Sequence, residues 1–357
     1  PPTHPPRHRL TRTRGPQAKA TFFTAISKTS MTTIITSDSI DFRQYLRETD
    51  AKANVKNAAD YTKVLKDRLR MKQTEKKVYL PWPKTRESFH FRPGEVTVWA
   101  GQNGHGKSLV TSMVCLSLIG QEQKVCIASF EMKPHMTVQR MARMYAGMNP
   151  FSPEFQGREG VASIDELYDE FGGWVDKRLW IYDQQGTADR ELVIGMVRYC
   201  ATELKLNHVV VDNLAKVVSG EDDYNGQKAF VDEMTSIARD CQVHIHIVHH
   251  LKKPSKETDL PDKNDLKGSG AIADQVDNII LVFRNKAKEI AIRSNKAGDK
   301  AQEPDQVLFV RKQRNYEGSG DGEPQINLWF DADSQQYRET ALSPALFFPN
   351  YPHVASM

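Results

Sequence analysis

Residues 101–108 read Gly-Gln-Asn-Gly-His-Gly-Lys-Ser, the spacing G-x-x-x-x-G-K-[ST], set between the apolar run 95–100 and a helix-prone stretch from Ser108 onward. Small residues at such a turn let backbone N–H groups face inward around a β-phosphate. The lysine reaches the β- and γ-phosphates, and the hydroxyl that follows it ligates Mg2+. A helix N-terminus behind the loop adds its own unpaired donors. The expectation is a nucleoside triphosphate site cradled by Gly101, Gln102, Asn103, Gly104, His105, Gly106, Lys107 and Ser108, with ATP or another NTP and Mg2+ as cofactors.

Other residues could complete the chemistry. The apolar run 208–211 ends in Asp212, where a carboxylate supports Mg2+ through water. The run 125–130 ends in Glu131, placed to take a proton from attacking water, although an acid ahead of Lys133-Pro134 also suits a helical first turn. In 243–253, V-H-I-H-I-V-H-H-L-K-K, His244 and His246 alternate onto one face and read as core. No acid or Cys sits at ligand spacing, so a metal site is set aside, and His250 at the strand end is read as a γ-phosphate contact. Lys252 and Lys253 open a polar loop, 251–265, that could follow a phosphate backbone, but four interleaved acids also fit a solvated loop. Then Lys267, Gly268, Ser269 and Gly270 offer small residues and close backbone approach to a phosphate. Lys312 and Arg314 fall on one side of an extended strand. One nucleotide needs neither in cis, and in a ring such a pair reaches the phosphate held by the next subunit.

The elements that must position these residues alternate. Strands are expected at 95–100, 125–130, 179–182, 208–212, 243–249, 278–283 and 306–311, and helices near 108–119, 135–145, 188–204 and 226–240. Buried β-branched strands between helices imply an α/β fold, a mostly parallel sheet covered on both faces. Ligands of such sheets bind outside the carboxyl ends of the strands.

Ahead of this domain, residues 1–30 are Pro- and Arg-rich without an apolar face and read as a disordered basic tail. Their prolines make a poor transit peptide, so a cytoplasmic location, in a bacterium or a phage-infected cell, is expected over a mitochondrial one. Residues 31–78 read as a helical segment, with stretches at 41–49 and 51–71, then come the domain at 79–340 and a tail at 341–357. The N-terminal tail's six basic residues account for the charge excess, because without them 43 basic residues face 45 acidic ones. Nucleic-acid contact must therefore use a local basic surface. The four cysteines are scattered, without a C-x-x-C pair, and no apolar run reaches the roughly 18 residues of a membrane span.

Five ordered blocks, G-Q-N-G-H-G-K-S, A-S-F-E-M, V-V-V-D-N-L, H-H-L-K-K-P with D-L-K-G-S-G-A-I, and K-Q-R-N, cover about residues 79 to 340. With them the chain resembles the RecA-like helicase domain of hexameric replicative helicases, the DnaB and Twinkle group that includes phage primase-helicases. The resemblance implies that Lys107 and Ser108 hold phosphate and Mg2+, Glu131 is the general base, Asp212 supports Mg2+, His250 senses the γ-phosphate, and Lys312 and Arg314 act in trans. It places Lys252, Lys253 and the turn 265–270 on single-stranded DNA, Arg284 and Tyr337 beside the base, and the helix before the domain on a neighbouring protomer. It implies an NTP-driven helicase DNA motor moving 5′ to 3′ as a hexamer or heptamer, with a primase and a replicative polymerase as candidate partners and no membrane. No zinc ribbon or primase segment is visible, so priming is not expected of these residues. The rival readings are a RecA/RadA-type recombinase and a non-catalytic nucleotide-binding loader.

Overall fold

In a computed structural model of the chain, the described residues are 34–35 as backbone, 40–46, 58–59, 62, 65–67, 76–153, 163–218, 223–253, 259–268, 270–296, 298–316 and 323–348. The expected tail at 1–30, most of the helix at 51–71, and Ser269 lie outside them. Strands are β1 (Ile34–Ile35), β2 (Val78–Tyr79), β3 (His90–Phe91), β4 (Val96–Gly101), β5 (Val125–Ser129), β6 (Leu179–Tyr182), β7 (His208–Asp212), β8 (His244–His250), β9 (Asn278–Arg284), β10 (Gln306–Gln313), β11 (Gln325–Asp331) and β12 (Gln336–Arg338). Helices are α1 (Lys107–Gly120), α2 (Pro134–Ala146), α3 (Ile164–Val175), α4 (Arg190–Thr202), α5 (Tyr224–Cys241), α6 (Ala271–Gln275) and α7 (Lys286–Arg293).

Ten strands form one sheet in the order β1-β6-β5-β7-β8-β4-β9-β10-β11-β12. Pairing is parallel from β1 through β9 and antiparallel from β9 to β12. The parallel strands β4, β5, β6, β7 and β8 are buried along nearly their whole length, as covering from two sides requires. Val96, Val98 and Ala100 of β4 face a core built with α4 and α5, while Trp99 faces one built with α1, α2 and α3. All seven expected strands and four expected helices are present, with ends moved by a few residues.

Register puts Gly101 beside His250 and Ser129 beside Asp212, so the carboxyl ends of β4, β5, β7 and β8 meet at one edge. Four neighbouring strand ends therefore converge on the phosphate loop, which runs straight from β4 into α1.

Two parts of the domain division differ from expectation. The upstream segment supplies β1 and a one-turn 3-10 helix, Phe42–Tyr45, where a longer helix at 41–49 was expected. Phe42 is fully buried against Tyr182 and Tyr199. Downstream, Phe348 is buried near Trp174, and the Gln336 amide bonds Leu346 through both its atoms, so packed structure continues past residue 340. Short apolar stretches of this kind dock through burial that local periodicity does not reveal.

Candidate active site

The turn ends at Gly106, the α1 N-cap, with φ +81°. A Cβ there would meet the Tyr337 hydroxyl at 2.5 Å, so both backbone conformation and space call for glycine. Lys107 is buried, and its ammonium donates to Gly101 O at 3.0 Å and Gln102 O at 3.1 Å, with His250 Nδ1 at 3.4 Å. The Ser108 hydroxyl donates to Asp212 Oδ2 at 2.7 Å. Burial pushes the Asp212 carboxyl up and the Lys107 ammonium down, and for Lys107 the charges of Asp212 and Glu131 oppose the shift. A hydroxyl and a buried carboxylate, both hard oxygen donors, suit Mg2+.

Asn213 follows Asp212 through a cis peptide bond and is 1% exposed. Its Nδ2 lies 2.7 Å from Glu131 Oε1 and 3.1 Å from His250 Nε2. The structure thus joins Lys107, His250, Asn213 and Glu131 in one chain of polar contacts. A cleft of about 640 Å3 opens over them, bordered also by Arg140, Lys216, Phe330 and Gln335. Arg140, on α2, is shifted down by burial, and Asp212 opposes that shift. Arg140 belongs to no spaced motif and Asn213 stands only inside the V-V-V-D-N-L block, so the sequence assigns neither a role. Helix α2 carries Arg140 back toward Asp212 only once β5 and β7 have paired.

On the side of the loop away from Glu131, a second cleft of about 400 Å3 is lined by Leu109, Arg284, Ile292, Gln306, Phe330 and Tyr337 among others. Arg284 borders it, paired with Glu289 and donating to Gly104 O at 3.2 Å. Tyr337 is 5% exposed, with its hydroxyl 3.2 Å from Gln306 Oε1, and its ring backs Phe330 at 5.4 Å. Phe330, 37% exposed, is the aromatic face open to the cleft. Tyr337, expected beside the base, lines the same cleft from behind Phe330. His105 is buried and held neutral, its value lowered to about 4 by burial first and then by Lys286 and Lys107.

The proposed DNA residues are mechanically tied to this edge. Leu251 bridges Leu266, Lys267 N donates to His250 O at 3.0 Å, and His249 contacts Lys267 O. Lys252 and Lys253 are exposed, and the Lys252 ammonium donates to Asn264 O at 3.1 Å. Gly268 has φ +102°, where a Cβ would collide with the Gln227 side chain. Gly270 caps α6.

Lys312 and Arg314 stand elsewhere. Gln306 begins β10 next to Gly106, and eight steps at about 3.3 Å put Arg314 roughly 25 Å further along. Both side chains meet the carboxyl end of α6: Lys312 donates to Ala273 O at 2.6 Å and Asp274 O at 2.9 Å, and Arg314 to Asp274 O at 2.6 Å and Gln275 O at 3.1 Å. They share a side, as expected, and lie far from their own phosphate loop.

His244 and His246 are core residues, as expected. His244 Nδ1 faces Arg92 O at 2.7 Å, so that nitrogen is the donor, and Nε2 accepts from Thr97 at 2.8 Å. His246 Nδ1 accepts from Trp99 at 3.1 Å, leaving Nε2 to donate to His208 Nδ1 at 3.1 Å.

Residues 88–339, which contain every site described above, match the model of the DnaB-like helicase C terminal domain. The chain belongs to that family. Relatives of this DnaB-like domain include a DNA helicase/primase of Enterobacteria phage T3, 29% identical over 211 residues, 55% of this chain and 36% of that protein. The replicative DNA helicase DnaB of Treponema pallidum is 24% identical over 230 residues, 63% of this chain and 48% of that protein. The chain thus matches half or less of the length of these curated relatives. Among solved structures, one described as an ATPase domain superposes with a TM-score of 0.62 at 14% identity, covering 79% of this chain and 99% of that one. A DnaB-like replicative helicase, described with its interactions with primase, gives 0.59 at 15% identity, covering 80% and 67%. These superpositions establish the RecA-like helicase fold.

Proposed function

We propose that the chain is the motor of a ring-forming replicative DNA helicase that hydrolyses ATP or another NTP and moves 5′ to 3′ on single-stranded DNA. The observation that carries this reading is the split of the cations: Lys107 serves the cleft, while Lys312 and Arg314 are held at the far end of β10. A pair so placed serves a neighbour's nucleotide, which makes each site a product of two subunits and favours a closed ring.

In this mechanism the loop amides and Lys107 grip the phosphates, and Glu131 takes the proton of a water attacking in line. His250 contacts the γ-phosphate, Arg140 borders the transferring group from α2, and the neighbour's Arg314 meets the charge that develops there. A Mg2+ ion held through Ser108 and Asp212 would supply charge neutralisation at the phosphates. Phe330 stacks on the base with Arg284 beside it, and Tyr337 supports Phe330 from behind. Lys252, Lys253 and the turn at 267–270 contact DNA phosphates, and the bonds of Lys267 to His249 and His250 convert loss of the γ-phosphate into movement of that turn. A primase and a replicative polymerase are the proposed partners, in a cytoplasmic setting.

Forked-DNA unwinding with each triphosphate, alongside particle imaging, tests this. Closed rings that unwind the fork are expected, with activity lost in Lys107→Ala and Arg314→Ala. Wild-type protein that turns over no nucleotide with DNA and Mg2+ present would sink the motor reading.

A further inference from the structure

The contacts among Lys107, His250, Asn213 and Glu131 cannot all be satisfied at once, and this gives Asn213 a role. An ammonium has three hydrogens, and the three acceptors available to Lys107 are Gly101 O, Gln102 O and His250 Nδ1. With Lys107 on Nδ1, a neutral imidazole carries its proton on Nε2. That N–H then faces the Asn213 amide at 3.1 Å, and only the amide oxygen can accept it. Turning Oδ1 toward His250 takes Nδ2 away from Glu131 Oε1, which stands 2.7 Å away and can only accept while ionised. In the other arrangement Nδ2 donates one hydrogen to Glu131 and one to His250 Nε2, which requires the imidazole proton on Nδ1. Asn213 Oδ1 is then buried with no protein donor. The second arrangement also turns the Nδ1 N–H toward the Lys107 ammonium and removes that ammonium's third acceptor, so it requires Lys107 to be drawn away.

We infer that Asn213 is a positioning residue that holds Glu131 only when a triphosphate is bound. The inference rests on the reading of Glu131 as general base and His250 as γ-phosphate contact. A triphosphate draws the Lys107 ammonium onto its own oxygens and offers His250 Nδ1 an acceptor in place of a donor. The ring stays neutral: one proton leaves Nε2 and one arrives at Nδ1 by exchange with water. Nε2 becomes an acceptor, the Asn213 amide donates to it and to Glu131 together, and the carboxylate is fixed. Without nucleotide, Lys107 returns to Nδ1 and the amide turns away from Glu131.

Two measurements test this. In wild-type protein with 15N-labelled histidine, the His250 proton should sit on Nδ1 with a non-hydrolysable ATP analogue and on Nε2 without nucleotide. This needs no variant to fold, and the same tautomer in both states overturns the inference. In Asn213→Ala, kcat should fall about 10- to 100-fold, as when an orienting partner is lost, while triphosphate affinity stays within about threefold. A kcat within about twofold of wild type overturns it, and so does an equal loss of binding and turnover, which marks a structural role. Glu131→Gln, run in parallel, separates the two readings. If it keeps turnover, the general-base reading fails; if it abolishes turnover while Asn213→Ala does not, only the positioning role fails.

Discussion

Gly106→Ala probes how tightly the phosphate loop is seated. At φ +81° an alanine adopts the left-handed region at about 1–2 kcal/mol. The new Cβ would also lie 2.5 Å from the Tyr337 hydroxyl, against an ordinary contact of 3.4 Å or more, and forcing that overlap apart costs about 1–3 kcal/mol. The sum is about 2–5 kcal/mol, set at the turn that aims the loop amides. Tyr337→Phe removes the offending oxygen. The next neighbours, Gln306 Oε1 at 3.5 Å and the Tyr337 ring carbon at 3.7 Å, are in ordinary contact range. In that background Gly106→Ala should cost only the backbone part, giving a favourable coupling of about 1–3 kcal/mol between the two substitutions. Denaturant unfolding of wild type, both single variants and the double variant measures the cycle, with nucleotide affinity read in parallel. Strictly additive effects would refute the placement of Tyr337 directly behind the loop.

Further outcomes follow from the same geometry. Glu131→Gln should lower kcat by about 10²- to 10⁴-fold with triphosphate binding retained, read by single-turnover hydrolysis and fluorescent-nucleotide titration; comparable turnover would remove Glu131 as the base. His244 is fully buried and lowered to about 4 by burial, so the unfolded chain binds its proton first as pH falls. The stability from keeping it neutral is complete above about pH 6.5 and is lost between there and about 4, roughly 3 kcal/mol for this residue alone. His208 and His246 shift in the same direction, so denaturant midpoints should drop steeply from pH 7 to pH 5, and a flat profile contradicts the burial argument. Gly195 packs directly under the Phe42 backbone, where any Cβ would collide. Gly195→Val should therefore release the 41–46 segment and speed proteolysis within it, whereas unchanged cleavage would show that the segment is not seated there.

The sequence displayed the nucleotide half of the site because its chemistry depends on local spacing. The turn 101–108 is contiguous, Asp212 and Glu131 end apolar strands, and parallel pairing brings such ends together without further information. Asn213 and Arg140 were not visible in this way. Asn213 matters because β7 and β8 set it between Glu131 and His250, and Arg140 because α2 folds back over Asp212. Phe330 was not visible for a related reason, since it and Tyr337 sit on adjacent antiparallel strands and only the pairing shows which ring is more open. Helix α3 went unnoticed because the Gly172–Gly173 pair and its acids mask an apolar face formed by Leu167, Phe171 and Val175. Short elements such as the turn at Phe42–Tyr45 and the docked Phe348 owe their places to burial against distant residues.

Mixing two inactive variants tests the shared site most directly. Lys107→Ala subunits lack the phosphate grip but keep Arg314, and Arg314→Ala subunits have the reverse. In randomly mixed rings about one interface in four joins an intact loop to an intact neighbouring arginine. The account predicts that each variant alone is inactive and that the mixture regains DNA-stimulated hydrolysis, up to about a quarter of the wild-type rate if sites fire independently. Wild-type turnover by Arg314→Ala alone, or a mixture no more active than its separate components, would contradict it.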